Sequence, residues 1–257
     1  MLNNLVDIEG IERCTIAAVA PQQVHELAGW LLPMDSGSIG RAHSAVPLSH
    51  AASNADPALI SAIISQYVNH GMQAKFRLPD VPAFAPFIAK LHTLGYCSAS
   101  PTWVQTTTST ALRDVAALAS AAYLVEQANE ADKGWVQVFS KGREPTNDDL
   151  ARVNNFRRGT GVVFAGVRDA DAQGVAVSAG AAAFSHGWAC VHGLNTLAAY
   201  RRRGMGTSVL AALARVALVR DVQRIMLQVE EDNTSAQALY RRLGFTNAWK
   251  YVYWQLP

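Results

Sequence analysis

Between residues 57 and 70, apolar side chains fall at Leu59, Ile60, Ile63, Ile64 and Tyr67, with Gly71 just beyond. That three-and-four spacing is one face of a helix, and the glycine is a natural stop. The same periodicity predicts helices over 81–94, ended by Gly95, and over 132–141, 208–220 and 235–243. Residues 21–32, with a proline early, are also read as a helix. Thr146-Asn147-Asp148-Asp149 ahead of Leu150 and Val153 is an N-cap followed by an acidic first turn. Runs rich in β-branched and aromatic residues predict strands over 41–48, 73–78, 102–107, 121–127, 161–167, 175–184, 188–197, 224–229 and within 245–255. Residues 49–56 form a loop by composition, and Asp169-Ala170-Asp171 and Ser185-His186-Gly187 are turns.

The order of elements repeats. Helix 57–70, strand 73–78 and a helix closed by Leu94-Gly95-Tyr96 are echoed by helix 208–220, strand 224–229 and a helix closed by Leu243-Gly244-Phe245. The offset is 149 residues. A duplicated unit follows, divided at the polar run 106–110 into residues 1–108 and 109–257. The copies differ where chemistry would lie. Leu91 stands where Tyr240 stands in the second copy, and Asn54-Ala55-Asp56-Pro57 carries neither glycine nor arginine.

Half of the 257 residues are hydrophobic, enough for a large core. A formal charge of +2 demands neither nucleic acid nor an anionic membrane. No apolar run reaches the roughly 18 residues of a membrane span, and residues 1–7 do not read as a signal peptide. Cys14, Cys97 and Cys190 are few, odd in number and widely spaced. That disfavours a disulfide framework or a zinc site and suits a reducing cytoplasm.

The basic residues cluster instead. Tyr200-Arg201-Arg202-Arg203-Gly204-Met205-Gly206-Thr207 lies between a predicted strand and a predicted helix. Glycines let backbone N–H groups approach phosphate oxygens, and the helix N-terminus adds partial positive charge. A solvated basic turn is the plainer alternative. Asn233 follows the next predicted strand, and Tyr240 sits in the last predicted helix. On periodicity alone Tyr240 is a core aromatic, and Asn233 only caps a helix.

Taken together, these motifs resemble the acyl-CoA site of the GNAT superfamily of N-acyltransferases, over roughly residues 111–257. The pattern Arg/Gln-x-x-Gly-x-Gly/Ala is met by Arg201, Gly204 and Gly206. The resemblance implies an α+β fold with a mixed, mostly antiparallel central sheet flanked by helices, duplicated with a degenerate first half. It implies that Arg201, Arg202, Arg203, Gly204, Met205, Gly206 and Thr207 wrap the CoA pyrophosphate. Leu194, Asn195, Thr196 and Leu197 would pair with the pantetheine arm, Asn233 and Ala236 would contact the cofactor, and Tyr240 would face the CoA sulfur. The proline common just before this arginine turn is replaced by Leu197-Ala198-Ala199-Tyr200.

The activity implied is acetyl transfer from acetyl-CoA to a primary amine of a small molecule or a protein N-terminus, by direct attack in a ternary complex. A non-catalytic acyl-CoA-binding module is the alternative. The base is open: alternation along strand 188–197 places Cys190, His192, Leu194 and Thr196 on one face, which nominates His192, while Glu230 and Glu231 end the next strand. A monomer or homodimer is expected, with no metal, nucleic acid or membrane partner.

Overall fold

The computed structural model describes residues 6–118, 123–169 and 174–257. Helix α1 (Ile8–Val19) comes first, its N-terminus held by the Asp7 carboxylate, which accepts from the Gly10 N–H at 3.0 Å. The segment 21–32 is not the helix its composition suggests. It is a hairpin of β1 (Gln23–Leu27) and β2 (Trp30–Met34). Ala28 and Gly29 both take positive φ, the geometry of a tight hairpin turn. Trp30 to Met34 are all buried, a pattern of burial on both faces that periodicity cannot distinguish from a core helix. The strand expected over 41–48 shrinks to β3 (Val46–Pro47), preceded by a 3-10 turn at Gly40–Ala42.

Next come α2 (Leu59–Asn69), β4 (Phe76–Pro79), α3 (Ala85–Thr93), β5 (Cys97–Thr106), α4 (Ser109–Ala117), β6 (Val125–Ala128), α5 (Lys133–Phe139) and α6 (Asn147–Arg158). The expected N-cap at Thr146 is a full capping box with Asp149. The polar run 106–110 is no free linker. Thr106 ends β5 and the Thr108 side chain caps α4. The chain continues through β7 (Val163–Asp169), β8 (Val175–Ser185), β9 (Trp188–Thr196), α7 (Met205–Val219), β10 (Ile225–Glu230), α8 (Thr234–Arg242) and β11 (Thr246–Gln255), the last a single strand. Part of the predicted strand 121–127 and of the turn 169–171 lies outside the described residues.

Eight strands form one sheet in the order β4-β11-β5-β10-β9-β8-β7-β6. All neighbours are antiparallel except β9 and β10. The β1-β2-β3 ribbon is separate and touches β4 through a parallel bridge, Ala45 to Phe76. The repeat is visible in this topology. β10 pairs with β5 and β4 with β11, so each repeat lends its last strand to the other. Corresponding elements start at Phe76 and Ile225, Ala85 and Thr234, Cys97 and Thr246.

Helix α7 packs on one face of the sheet with Val191, Val177 and Leu227, while α1, α5 and α6 cover the other with Trp188, Cys190 and Phe164. The small residues of β8 make this double cover possible. A Cβ on Gly180 would approach Val209 of α7 to 3.1 Å and Leu194 to 3.0 Å.

Candidate active site

The parallel pair β9 and β10 is joined only at Ala189–Ile225, Cys190–Met226 and Val191–Leu227. Beyond Val191 the two strands part, although β10 runs on to Glu230 and β9 to Thr196. The segment from His192 to Thr196 therefore turns an unpaired backbone edge toward β10. An open strand edge at the centre of a sheet is a place for an extended ligand to pair.

Within this segment β9 carries a bulge. Ala179 faces Asn195 and Ala181 faces His192, so one extra residue is accommodated on β9. Gly193 absorbs it at φ +65°, with a hypothetical Cβ 3.2 Å from the Trp135 ring. The bulge corrects the alternation expected for this strand. Ala189 and Val191 face α7, as does Leu194 after the bulge. Cys190 faces the opposite layer, where the His192 ring lies 4.2 Å from that of Phe156. Asn195 belongs to that layer too, its amide donating to the Val138 carbonyl at 2.6 Å. Leu194 and Thr196 therefore do not share a face with Cys190 and His192. No signal in the sequence other than Gly193 marks this reversal.

The glycine turn follows directly. Gly204 is the N-cap of α7 in the left-handed region, at φ +85°, and no side chain caps the helix. The first-turn N–H groups of a helix have no partners within it, so they point out of this end with the positive pole of the helix dipole. Arg202 also takes positive φ, at +61°. Arg201 to Arg203 are exposed. Arg201 Nε donates to the Thr196 carbonyl at 3.1 Å, tying the turn back to β9. Ser178 and Thr196 hydroxyls are 2.8 Å apart, and Leu197 N–H donates to the Val177 carbonyl at 2.9 Å. A Cβ on Gly206 would lie 3.4 Å from Thr196 Oγ1, so the helix start sits against the end of the open edge.

Asn233 caps α8, accepting from the Ala236 N–H at 3.2 Å. Tyr240, on the same helix, is buried against Phe245, with ring centroids 5.8 Å apart. Burial pushes its phenol up to about 12, so it stays protonated at neutral pH. Glu230 and Glu231 are exposed at the end of β10, and their carbonyls accept from Gln237 Nε2.

His192 is buried, and among the described residues neither ring nitrogen has a partner. Desolvation first, and the nearby Arg41 second, lower its pKa to about 3, so the imidazole is neutral at pH 7. Arg41 was not indicated by any motif. It enters the neighbourhood through the 3-10 turn at Gly40–Ala42, in a segment read as strand.

An open parallel strand pair beside a glycine-capped helix, inside a mostly antiparallel sheet flanked by helices, is the architecture of an acyltransferase of the GNAT superfamily. Residues 6–254 match the family described as "Probable histone acetyltransferase Rv0428c C-terminal", and the chain belongs to that family. Among solved structures, a GCN5-related N-acetyltransferase from Kribbella flavida is similar at 16% identity and TM-score 0.67, over 97% of this chain and 95% of that one. A tandem GNAT protein from the clavulanic acid biosynthesis pathway is similar at 14% identity and TM-score 0.58, over 98% and 95%. A GCN5-related N-acetyltransferase from Sphaerobacter thermophilus is similar at 15% identity and TM-score 0.54, over 96% and 91%. At these identities the likeness is one of fold. No curated protein matches the sequence. Among the described residues no helix is long and apolar enough to cross a membrane.

Proposed function

We propose that this protein is an N-acetyltransferase that uses acetyl-CoA to acylate a primary amine by direct attack in a ternary complex. The observation that carries the reading is the parting of β9 from β10 after Val191 and Leu227, next to the uncapped start of α7. The pair offers an edge for an amide-bearing arm and a positive end for a pyrophosphate, in the order acyl-CoA needs them.

In this reading Leu194, Asn195, Thr196 and Leu197 hold the pantetheine, and Arg201 to Thr207 hold the pyrophosphate. Asn233 and Ala236 flank the cofactor from the start of α8. When bound, acetyl-CoA supplies the activated thioester. The Leu194 or Asn195 N–H stabilises the developing oxyanion. Tyr240, protonated at neutral pH, donates to the departing thiolate. Proximity supplies much of the remaining rate, with no covalent enzyme intermediate.

His192 and Glu230 are the two candidate bases, and they differ in character. His192 faces the buried side of the sheet with bare nitrogens but resists protonation. Glu230 is exposed and can pass a proton to water. Comparing His192→Ala with Glu230→Gln across pH assigns the limb of the rate profile to one of them. We also propose that residues 1–108 and 109–257 are the two units of a duplication, the second carrying the site, and that the chain acts in a reducing cytoplasm.

The decisive test is calorimetric titration with acetyl-CoA. One site per chain, abolished in Gly206→Trp, supports the reading. Absence of binding by folded protein would overturn it. Binding without transfer to any amine would favour the second class, a non-catalytic acyl-CoA-binding module.

A further inference from the structure

The sheet face opposite α7 carries positive charge that the proposed transfer does not use. Arg77 and Arg158 each reach a buried carboxylate. Arg77 meets Glu12 in a two-pronged pair at 3.0 and 2.5 Å, and Arg158 meets Asp35 at 2.6 Å. Arg41 and Lys75 are different. Both are half-buried, and among the described residues neither side chain has an ion-pair or hydrogen-bond partner. A partly desolvated cation without a counter-charge is unfavourable, and a bound anion would relieve that cost.

Packing brings Lys75 and the turn that carries Arg41 to one ring, that of Tyr253. The Lys75 ammonium lies 4.6 Å above the Tyr253 ring. Gly40, which precedes Arg41, is pressed on the same ring, where a Cβ would stand 2.9 Å from Cζ. Ile39 and Ala42, on either side of Gly40 and Arg41, pack in the layer that holds Cys190, Trp249 and Tyr251. The Arg41 charge reaches His192, Cys190 and Tyr253 and favours deprotonation of each. His192 completes the cluster with two buried, unpartnered nitrogens at the start of the open edge of β9.

We infer that Arg41, with Lys75 at the Tyr253 ring, binds the carboxylate of a small amine acceptor whose amino group lies at His192, so that the acceptor is an amino acid. The guanidinium fork matches a planar carboxylate in two-pronged fashion. A neutral imidazole can accept a hydrogen bond from the amine, as a protonated one could not. Two uncompensated cations also repel a second ammonium, which argues against polyamines and lysine-rich tails as acceptors. The inference rests on the acetyltransferase reading and narrows its substrate class.

The test pairs free amino acids, α, β and γ in type and with neutral, acidic and basic side chains, with their carboxamides. Each is added to the CoA-loaded full chain, read by thermal shift, and then assayed for acetyl transfer. At least one amino acid should stabilise the protein and be acetylated with kcat/KM at least tenfold above its amide. Arg41→Gln should erase that ratio through KM and keep the melting temperature of the free protein. Arg41→Lys should restore part of the ratio, and Lys75→Gln should reduce it less than Arg41→Gln. Equal use of amides, a ratio unmoved by Arg41→Gln, or no binding by any amino acid would overturn the inference. Transfer to carboxylate-free amines alone would overturn it and leave the acetyltransferase reading standing. Carboxylate-dependent binding without transfer would instead support the anion site and overturn the catalytic reading.

Discussion

Helices α2 and α7 occupy equivalent places in the two repeats, and the turns that lead into them differ. At α2 no side chain caps the helix either, and the Asp56 carboxylate accepts from the N–H of Ala58, the residue just before the helix, at 2.9 Å. The preceding loop is pinned by Trp30, whose indole donates to the Asn54 carbonyl, and by Asn54, whose amide donates to that of Gly29. Trp30 is fully buried there. At α7 no side chain caps the helix, Gly204 holds the left-handed conformation, and three exposed arginines precede it. The next helices differ by one side chain at the matched position. Leu91 and Tyr240 are both buried, and their carbonyls accept from Tyr96 and Phe245 in the same helix ending. The backbone frame is thus common to both repeats. A preceding turn held by its own hydrogen bonds and the aliphatic Leu91 mark the first copy. A left-handed Gly204 preceded by three exposed arginines, and the phenol of Tyr240, mark the second.

The contrast can be broken or sharpened in several ways. The largest effect falls on the frame. Arg77 and Glu12 are 0% and 1% exposed, so Arg77→Met leaves an isolated carboxylate in the core. Stability should fall by about 3–5 kcal/mol in denaturant titration, and Glu12→Leu in the same chain should recover part of it. A loss under about 1 kcal/mol would show that Glu12 is not uncompensated without Arg77. Next is Gly206→Trp, which fills the space against Thr196 and should weaken acetyl-CoA by about 100-fold or more, roughly 2.8 kcal/mol. Tyr240→Phe should keep the cofactor affinity and lower kcat by about 100-fold. Unchanged turnover would return Tyr240 to a packing role.

A buried and a half-buried histidine separate the two halves by pH. Burial lowers His192 to about 3 and His50 to about 4. Their folded pKa values lie below the unfolded one near 6.5, so the unfolded chain binds more protons in acid. Their neutral forms stabilise the fold fully above pH 6.5, and that contribution is lost as pH falls toward 4 and then 3. His192→Leu should flatten the acid side of the melting-temperature profile, with His50→Leu doing so to a smaller extent. An unaltered slope would mean that the imidazoles are hydrated. The smallest effect is expected from Asp56→Ala, which should cost about 1 kcal/mol or less and leave acetyl-CoA stoichiometry at one per chain.

Much of the frame was legible because it is written in local signals. Gly71, Gly95 and Gly244 all take positive φ at the ends of the predicted helices, and Thr146 caps as its sequence suggests. The pairs Leu94-Gly95-Tyr96 and Leu243-Gly244-Phe245 mark equivalent helix endings, and the repeat they suggest is present in the order of elements. The β1–β2 hairpin is not legible in the sequence, because Trp30 to Met34 is buried on both sides and carries no periodicity. For the site, the glycine turn could be located from spacing alone. The bulge at Gly193 could not, since it depends on how β9 meets Trp135 and Ala181. Arg41 was invisible for a similar reason, as its proximity to His192 joins residues brought together only by the sheet.

The exchange of strands has a further consequence. β5 lies between β10 and β11, and β11 between β5 and β4, so each repeat is finished only by the other. A chain cut between α4 and β7 would yield two pieces, each with raw hydrogen-bonding edges along its central strands. Such pieces are adhesive. Kept apart they should aggregate, and mixed they should knit into one sheet, so the molecule is built as a self-complementing split protein whose reassembly would itself report on the contact of two fused partners.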